Sequence, residues 1–204
     1  MTDDMWTAEF WDERYSSSER IWSGAPNPHL VDVVGGLVPG SAVDIGCGEG
    51  ADVLWLAHRG WRATGVDRSQ VALDRGAARA AQEGVGATWL QTDLLAETLP
   101  EQYDLVSAHF VHVPTQLFAP LYTRLGAAVA PGGSLLVVGH HPHDVETGVR
   151  HHHGDDILFT PDRVVGLLDP QHWDVRRADA PTRTQRVEDA DVTVTDTVVH
   201  AVRR

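Results

Sequence analysis

The sequence predicts an α/β fold: one doubly wound sheet of seven strands, mostly parallel, with an antiparallel C-terminal strand and helices at the N-terminus. Three observations carry this. From Ser41 onward, short apolar runs alternate with longer stretches of helical spacing. A glycine-rich turn, Gly46-Cys47-Gly48-Glu49-Gly50, follows the first run directly. Later runs end at an acid, Asp67 and then Asp93, and ligands of such sheets bind at the carboxyl ends of the strands.

The elements follow in order. Residues 1–37 carry two aromatic clusters, Trp6/Phe10/Trp11/Tyr15 and Ile21/Trp22, and read as one or two helices laid over the sheet or its ligand site. Residues 41–45 form the first strand. Residues 51–59 keep apolar side chains at helical spacing and stop at Gly60, a helix-ending residue. Residues 61–66 are the second strand. Ser69 caps an alanine-rich helix that runs to about Glu83 and closes at Gly84. Residues 88–91 and 103–108 are the third and fourth strands, and 116–130 a helix closed by Pro131-Gly132-Gly133. Residues 134–139 are apolar throughout, as expected of a strand buried on both faces. Thr160-Pro161 starts a helix through Leu168, with proline in its first turn. Residues 173–178 and 192–202 are two further strands, the last alternating apolar and polar as a half-exposed strand does.

Composition narrows the chemistry. A chain of 204 residues, 42% hydrophobic and 22% charged, suits one domain with a sizeable core. All 16 basic residues are arginine, which excludes Schiff-base, pyridoxal and P-loop chemistry that depends on a lysine. The net charge of −13, with no basic run, is a poor match for nucleic acid or an anionic membrane. Cys47 is the sole cysteine, no signal-peptide pattern opens the chain, and no apolar run approaches a membrane span. The expected location is cytoplasmic.

Taken alone, the glycine turn and Asp67 also fit a nicotinamide dinucleotide site, but the third glycine of that pattern would fall at Ala51. Asp93, a second acid at the end of the third strand, moves the reading elsewhere. The runs Val43-Asp44-Ile45-Gly46-Cys47-Gly48-Glu49-Gly50, Val66-Asp67, Thr92-Asp93-Leu94, Tyr103-Asp104-Leu105-Val106 and Ala130-Pro131-Gly132-Gly133-Ser134-Leu135 together resemble a class I S-adenosylmethionine-dependent methyltransferase with a Rossmann-like sheet. The runs Phe10-Trp11-Asp12-Glu13-Arg14-Tyr15 and Ile21-Trp22-Ser23-Gly24 further resemble the small stand-alone tellurite-resistance and thiopurine types.

The resemblance implies a single domain over 1–204. It would comprise an N-terminal helical cap (1–37), a cofactor-binding core (38–139) and an acceptor-side loop, helix and C-terminal strands (140–204). It also implies roles. The Gly46 to Gly50 turn holds the methionine part of S-adenosylmethionine against bare backbone, and Asp44 orients that turn and the methionine ammonium. Asp67 takes the ribose diol. Asp93 takes the adenine amino group, with Leu94 and Arg68 flanking the ring. Backbone near Ser107 meets the methionine amino group. Trp22 either closes over the sulfonium or, with Trp11, staples the N-terminal helix to the sheet.

The acceptor is expected to be a small molecule. After the fourth strand stands Ser107-Ala108-His109-Phe110, lacking the Asn/Asp-Pro-Pro-aromatic run that amine methylation of bases implies. The 12 histidines are not scattered evenly: His109 and His112 follow the fourth strand, and His140, His141 and His143 follow the fifth. A hydroxyl acceptor needs its proton removed, and neutral imidazole suits that task. His140, His141 and His109 are therefore the candidate bases, with the 140–141 pair ranked ahead of His109, which stands close enough to the cofactor to serve packing alone. Alternatively, His140, His141 and Asp144, with Asp155 or Asp156 nearby, would hold a divalent cation such as magnesium. His151, His152 and His153 read as a solvated loop. Methylation of sulfur, selenium or tellurium, or a non-catalytic cofactor-binding role, are the competing functions.

Overall fold

The computed structural model describes residues 7–149, 157–187 and 190–204. Its frame is a mixed sheet: β1 (Ser41–Ile45), β2 (Arg62–Asp67), β3 (Thr88–Gln91), β4 (Tyr103–His109), β5 (Val129–His140), β6 (Trp173–Asp179), β7 (Thr182–Val187) and β8 (Ala190–Arg203). The order across the sheet is β3-β2-β1-β4-β5-β8-β6, with β7 off this path and paired to β8. The strands from β3 to β5 run parallel, and β8 enters antiparallel between β5 and β6. Strand order reverses between β1 and β4, so their carboxyl ends open the crevice where ligands of such sheets lie.

Period-two alternation sends neighbouring strand residues to opposite layers. Val43, Val106, Leu135, Val137 and Val199 face one core with Phe118, Leu121, Tyr122 and Leu125 of α5 (Thr115–Ala127) and with Phe159. Ala42, Leu105, Leu136, Val138 and Val198 face the other, under Leu30 and Val34 of α2 (Pro28–Val34) and Val53 and Leu56 of α3 (Ala51–His58). Two covered faces explain why β5 shows no polar alternation.

Local chemistry sets the helix ends. Ser69 accepts from the Ala72 N–H at 3.1 Å and opens α4 (Gln70–Glu83), and Gly84 closes it in the left-handed region at φ 69°. The N-terminal region forms two helices. Thr7 caps α1 (Ala8–Ser16), and Asn27, through Oδ1, accepts from the His29 N–H at 2.9 Å to cap α2. Asp12 Oδ1 fastens α1 to the start of α4, accepting from Ser69 Oγ at 2.6 Å and the Val71 N–H at 3.2 Å.

Three expectations need correction. The sheet has eight strands rather than seven, because Thr182–Val187 pairs with the first half of β8; its Thr-Arg-Thr-Gln-Arg run offers no apolar face to read. Pro131-Gly132-Gly133 lies inside β5 rather than ahead of it. There the register slips from Tyr103↔Val129 to Leu105↔Ser134, and Gly132 at φ 81° absorbs the extra residues. The helix from Pro161 ends at Val165, short of Leu168.

Candidate active site

The first site element is the turn after β1. Gly46, Gly48 and Gly50 sit at φ 66°, 53° and 79°, where a side chain is strained. The Gly46 and Cys47 N–H groups donate to Val66 O at 2.8 and 3.0 Å, tying the turn to β2. The Gly48 N–H donates to Asp67 Oδ2 at 2.9 Å, and the other oxygen of Asp67 accepts from the Ser69 N–H at 2.9 Å. Burial pushes the Asp67 carboxyl up, against these hydrogen bonds. Thus one acid at the end of β2 fixes both the turn and the start of α4.

The N-terminal cap reaches this turn. A Cβ on Gly48 would stand 2.8 Å from Tyr15 Oη and 3.2 Å from Trp22 Nε1. Trp22 Nε1 donates to Tyr15 Oη at 2.9 Å, and burial, then the Asp67 charge, push the Tyr15 phenol up. Glu49 accepts from the Ile21 and Trp22 N–H groups at 3.3 and 3.4 Å and pairs with Arg75 at 3.0 Å. Trp22 is 49% exposed, so it stands over the turn and is not a buried staple. At the end of β3, Asp93 accepts from the Leu95 N–H at 3.0 Å and from Arg68 Nη2 at 3.3 Å. Leu94 is buried beside it, and Arg68 Nη1 is buried without a hydrogen-bond partner among the described residues.

Beneath the turn lies a triad. Asp44, 3% exposed, accepts from Ser107 Oγ at 2.8 Å. His109 Nδ1 lies 2.7 Å from Asp52 Oδ2 and 3.9 Å from Asp44 Oδ1. The other oxygen of Asp52 accepts from the Asn27 N–H at 2.6 Å. Burial, then the Asp52 charge, push the Asp44 carboxyl up to about 7. Burial alone would lower His109, yet the Asp52 charge and hydrogen bond, with Asp44, carry it above the ordinary imidazole value. His109 Nε2 is buried with no hydrogen-bond partner among the described residues.

The other predicted bases sit at the end of β5, the strand next to β4. His140 ends β5 opposite Asp196 on β8, with Nδ1 4.0 Å from Asp196 Oδ1. Its ring lies between Phe110 at 4.4 Å and His112 at 4.9 Å. Phe110, at φ 57°, is the one described non-glycine residue with positive φ, a conformation costly for a bulky side chain. Its N–H donates to Val138 O at 2.7 Å, which anchors the kink beside His109. Asp196, 0% exposed, accepts from Arg183 Nε at 2.6 Å and lies 3.1 Å from His29 Nε2. The His141 N–H donates to Thr195 O at 3.1 Å, and its Nδ1 accepts from the His143 N–H at 3.1 Å.

The structure does not gather His140, His141 and Asp144 into one cluster. Asp144 is buried and its Oδ1 accepts from the Thr195 N–H at 2.7 Å. Among the described residues, only Asp44, Asp52 and His109 bring such donors within 4.8 Å of one another, and a cation there would have to displace the bonds just given. His151, His152, His153, Asp155 and Asp156 lie outside the described residues.

Sequence reasoning missed Asp52, Asp196, Tyr15 and Glu49. Asp52 reads as an ordinary acid in the first turn of a helix. Asp196 left little signal, since it stands between Thr195 and Thr197 in a strand that alternates apolar and polar residues.

Comparison with known proteins gives the same outline. Residues 42–133 match a family described as "Methyltransferase domain". The chain is 32% identical over 126 residues to 2-heptyl-1-hydroxyquinolin-4(1H)-one methyltransferase of Mycobacteroides abscessus, covering 57% of this chain and 54% of that one. It is 31% identical over 112 residues to ubiquinone biosynthesis O-methyltransferase of Aeromonas salmonicida, covering 53% and 46%. The chain thus spans about half the length of these curated relatives. Magnesium protoporphyrin IX methyltransferase of Synechocystis, solved with bound SAH, shares the fold with a TM-score of 0.66 at 19% identity, covering 99% of this chain and 97% of that one.

Proposed function

Because residues 42–133 match a methyltransferase-domain family, we propose that the protein is a class I S-adenosylmethionine-dependent methyltransferase that transfers a methyl group to a hydroxyl of a small molecule, with His109 taking the hydroxyl proton. The residues around the turn suit the cofactor. Gly48 holds the turn in a left-handed conformation beneath Tyr15 and Trp22, Asp67 keeps lone pairs for the ribose diol, and Asp93 keeps them for the adenine amino group. Arg68, with its unpartnered Nη1, and Leu94 flank the adenine. Asp44, with the backbone at Ser107, serves the methionine ammonium, and the half-exposed face of Trp22 covers the sulfonium. When bound, S-adenosylmethionine supplies a methyl group on a cationic sulfur.

A hydroxyl attacks poorly while it keeps its proton, and a positioned base typically contributes about 10²–10⁴-fold. The observation that carries the assignment is the free, solvent-shielded Nε2 of His109 at the end of β4. His140 is the second candidate, and His141 the third, since its Nδ1 is occupied by a backbone N–H. O-methyltransferases among the relatives support an oxygen acceptor. The acidic net charge supports a small molecule over nucleic acid. No helix of the described residues is long and apolar enough to cross a membrane.

The test is S-adenosylhomocysteine release across a panel of phenols, sugars, thiols and amines. A hydroxyl compound is turned over, and His109→Gln lowers kcat by about 100-fold or more while S-adenosylhomocysteine still binds. A thiol or chalcogen acceptor with unchanged turnover in His109→Gln would replace this reading with detoxifying methylation. Loss of activity with EDTA, restored by magnesium, would replace the base with a cation.

A further inference from the structure

We propose that Asp52 is a positioning residue that holds the proton of neutral His109 on Nδ1 and so leaves the lone pair on Nε2; the inference rests on His109 as the base. Asp52 stands in the first turn of α3, on a different element from His109, and is the near neighbour of only one imidazole nitrogen, Nδ1 at 2.7 Å. Its carboxylate is clamped from the other side. Asp52 Oδ1 accepts from the Asn27 N–H at 2.6 Å, so the group bridges the start of α2 and the end of β4. The side chain of His109 is 6% exposed and that of Asp52 is 13% exposed, which keeps water from competing for the bond. Such a buried carboxylate selects the tautomer that donates to it.

The titratable groups facing His109 are Asp52 from α3 and Asp44 from β1. Asp44 is the more distant, at 3.9 Å, and already accepts from Ser107. Asp52 is therefore the partner that fixes the ring. In the transfer, the methyl group leaves the cofactor sulfur for the acceptor oxygen. The sulfonium becomes a neutral thioether, and the hydroxyl proton moves to His109 Nε2. The imidazolium so formed keeps its Nδ1–H on the Asp52 carboxylate.

Long-range ¹H–¹⁵N correlation of the imidazoles tests this in the full chain with S-adenosylhomocysteine bound, His109→Gln identifying the signal. Neutral His109 is expected as the Nδ1–H form, titrating above an ordinary histidine. In Asp52→Asn its titration falls to lower pH, and Asp52→Glu restores it at least in part. A wild-type neutral form protonated on Nε2 would overturn the proposal without recourse to any variant. So would an unmoved titration in an Asp52→Asn protein that still binds S-adenosylhomocysteine. Turnover reports separately: Asp52→Asn lowers kcat by about tenfold or more and moves the pH limb of kcat with the imidazole. Should the imidazole move while that limb stays fixed, the positioning role stands and His109 is not the base.

Discussion

At the residue scale, the account turns on Gly48, Asp67 and the Asp44–His109–Asp52 triad. Gly48→Val should abolish detectable S-adenosylmethionine binding by calorimetry, because Tyr15 and Trp22 already occupy the space and the backbone sits at φ 53°. Asp67→Ala should weaken binding by about 1.5–3 kcal/mol, from lost hydrogen bonds to the ribose and a loosened turn. The triad also sets a pH dependence of stability. Asp44 is pushed up to about 7, so between its ordinary value of 3.8 and about 7 the folded state holds a proton that the unfolded chain releases. That contribution is present at low pH and is lost as pH rises through the window. His109 is raised as well, so its contribution is complete below 6.5 and is lost at higher pH. Both signs agree: the melting temperature of the cofactor-free protein should fall from pH 5.5 to pH 8, less steeply in Asp44→Asn. Equal slopes in the two proteins would remove the triad from the explanation.

At the element scale, the β7–β8 hairpin depends on one buried acid. Asp196 is held below the usual carboxylate range: burial works against this, but His29 and Arg183 outweigh it. Asp196→Ala strands both partners and should cost about 3–5 kcal/mol, measured by urea unfolding. A loss under about 1 kcal/mol would show that the hairpin does not rely on this cluster. The hairpin also marks where reading the sequence stops working. The ends of α4 were legible because Ser69 and Gly84 act on their own backbone, whereas the helices expected over 116–130 and from Pro161 to Leu168 end earlier, at Ala127 and Val165. Strands β1 to β4 were legible because apolar residues fill both covered faces. β7 was not, since its residues alternate between exposed and half-buried with no apolar stripe, and its pairing is set by β8. The early start of β5 was hidden for the same kind of reason: Val129 joins the strand through its neighbour Tyr103, and no local signal carries that.

At the scale of the whole molecule, parallel strands bring their carboxyl ends to one crevice, and α1 and α2 close it from the N-terminal side. The glycine turn and the acids at the ends of the second and third strands were legible as strand-end features because glycines and acids have few other uses together there. The acceptor half was less so. His109, His140 and His141 could be placed at strand ends, but Asp52 and Asp196, which hold two of their neighbourhoods, come from α3 and β8 and meet them only in the folded chain. Two surface grooves, lined in part by Tyr122, His172, Trp173, Val175 and Arg203, lie near the opposite ends of the strands. The most direct measurement follows the methyl group itself. Protein incubated with S-adenosylmethionine labelled with ¹³C at the methyl group, and with the acceptor found in the panel, should give a product whose labelled carbon is bonded to oxygen, and His109→Gln should give almost none. Label on sulfur, selenium or tellurium, formed equally well by His109→Gln, would contradict the account.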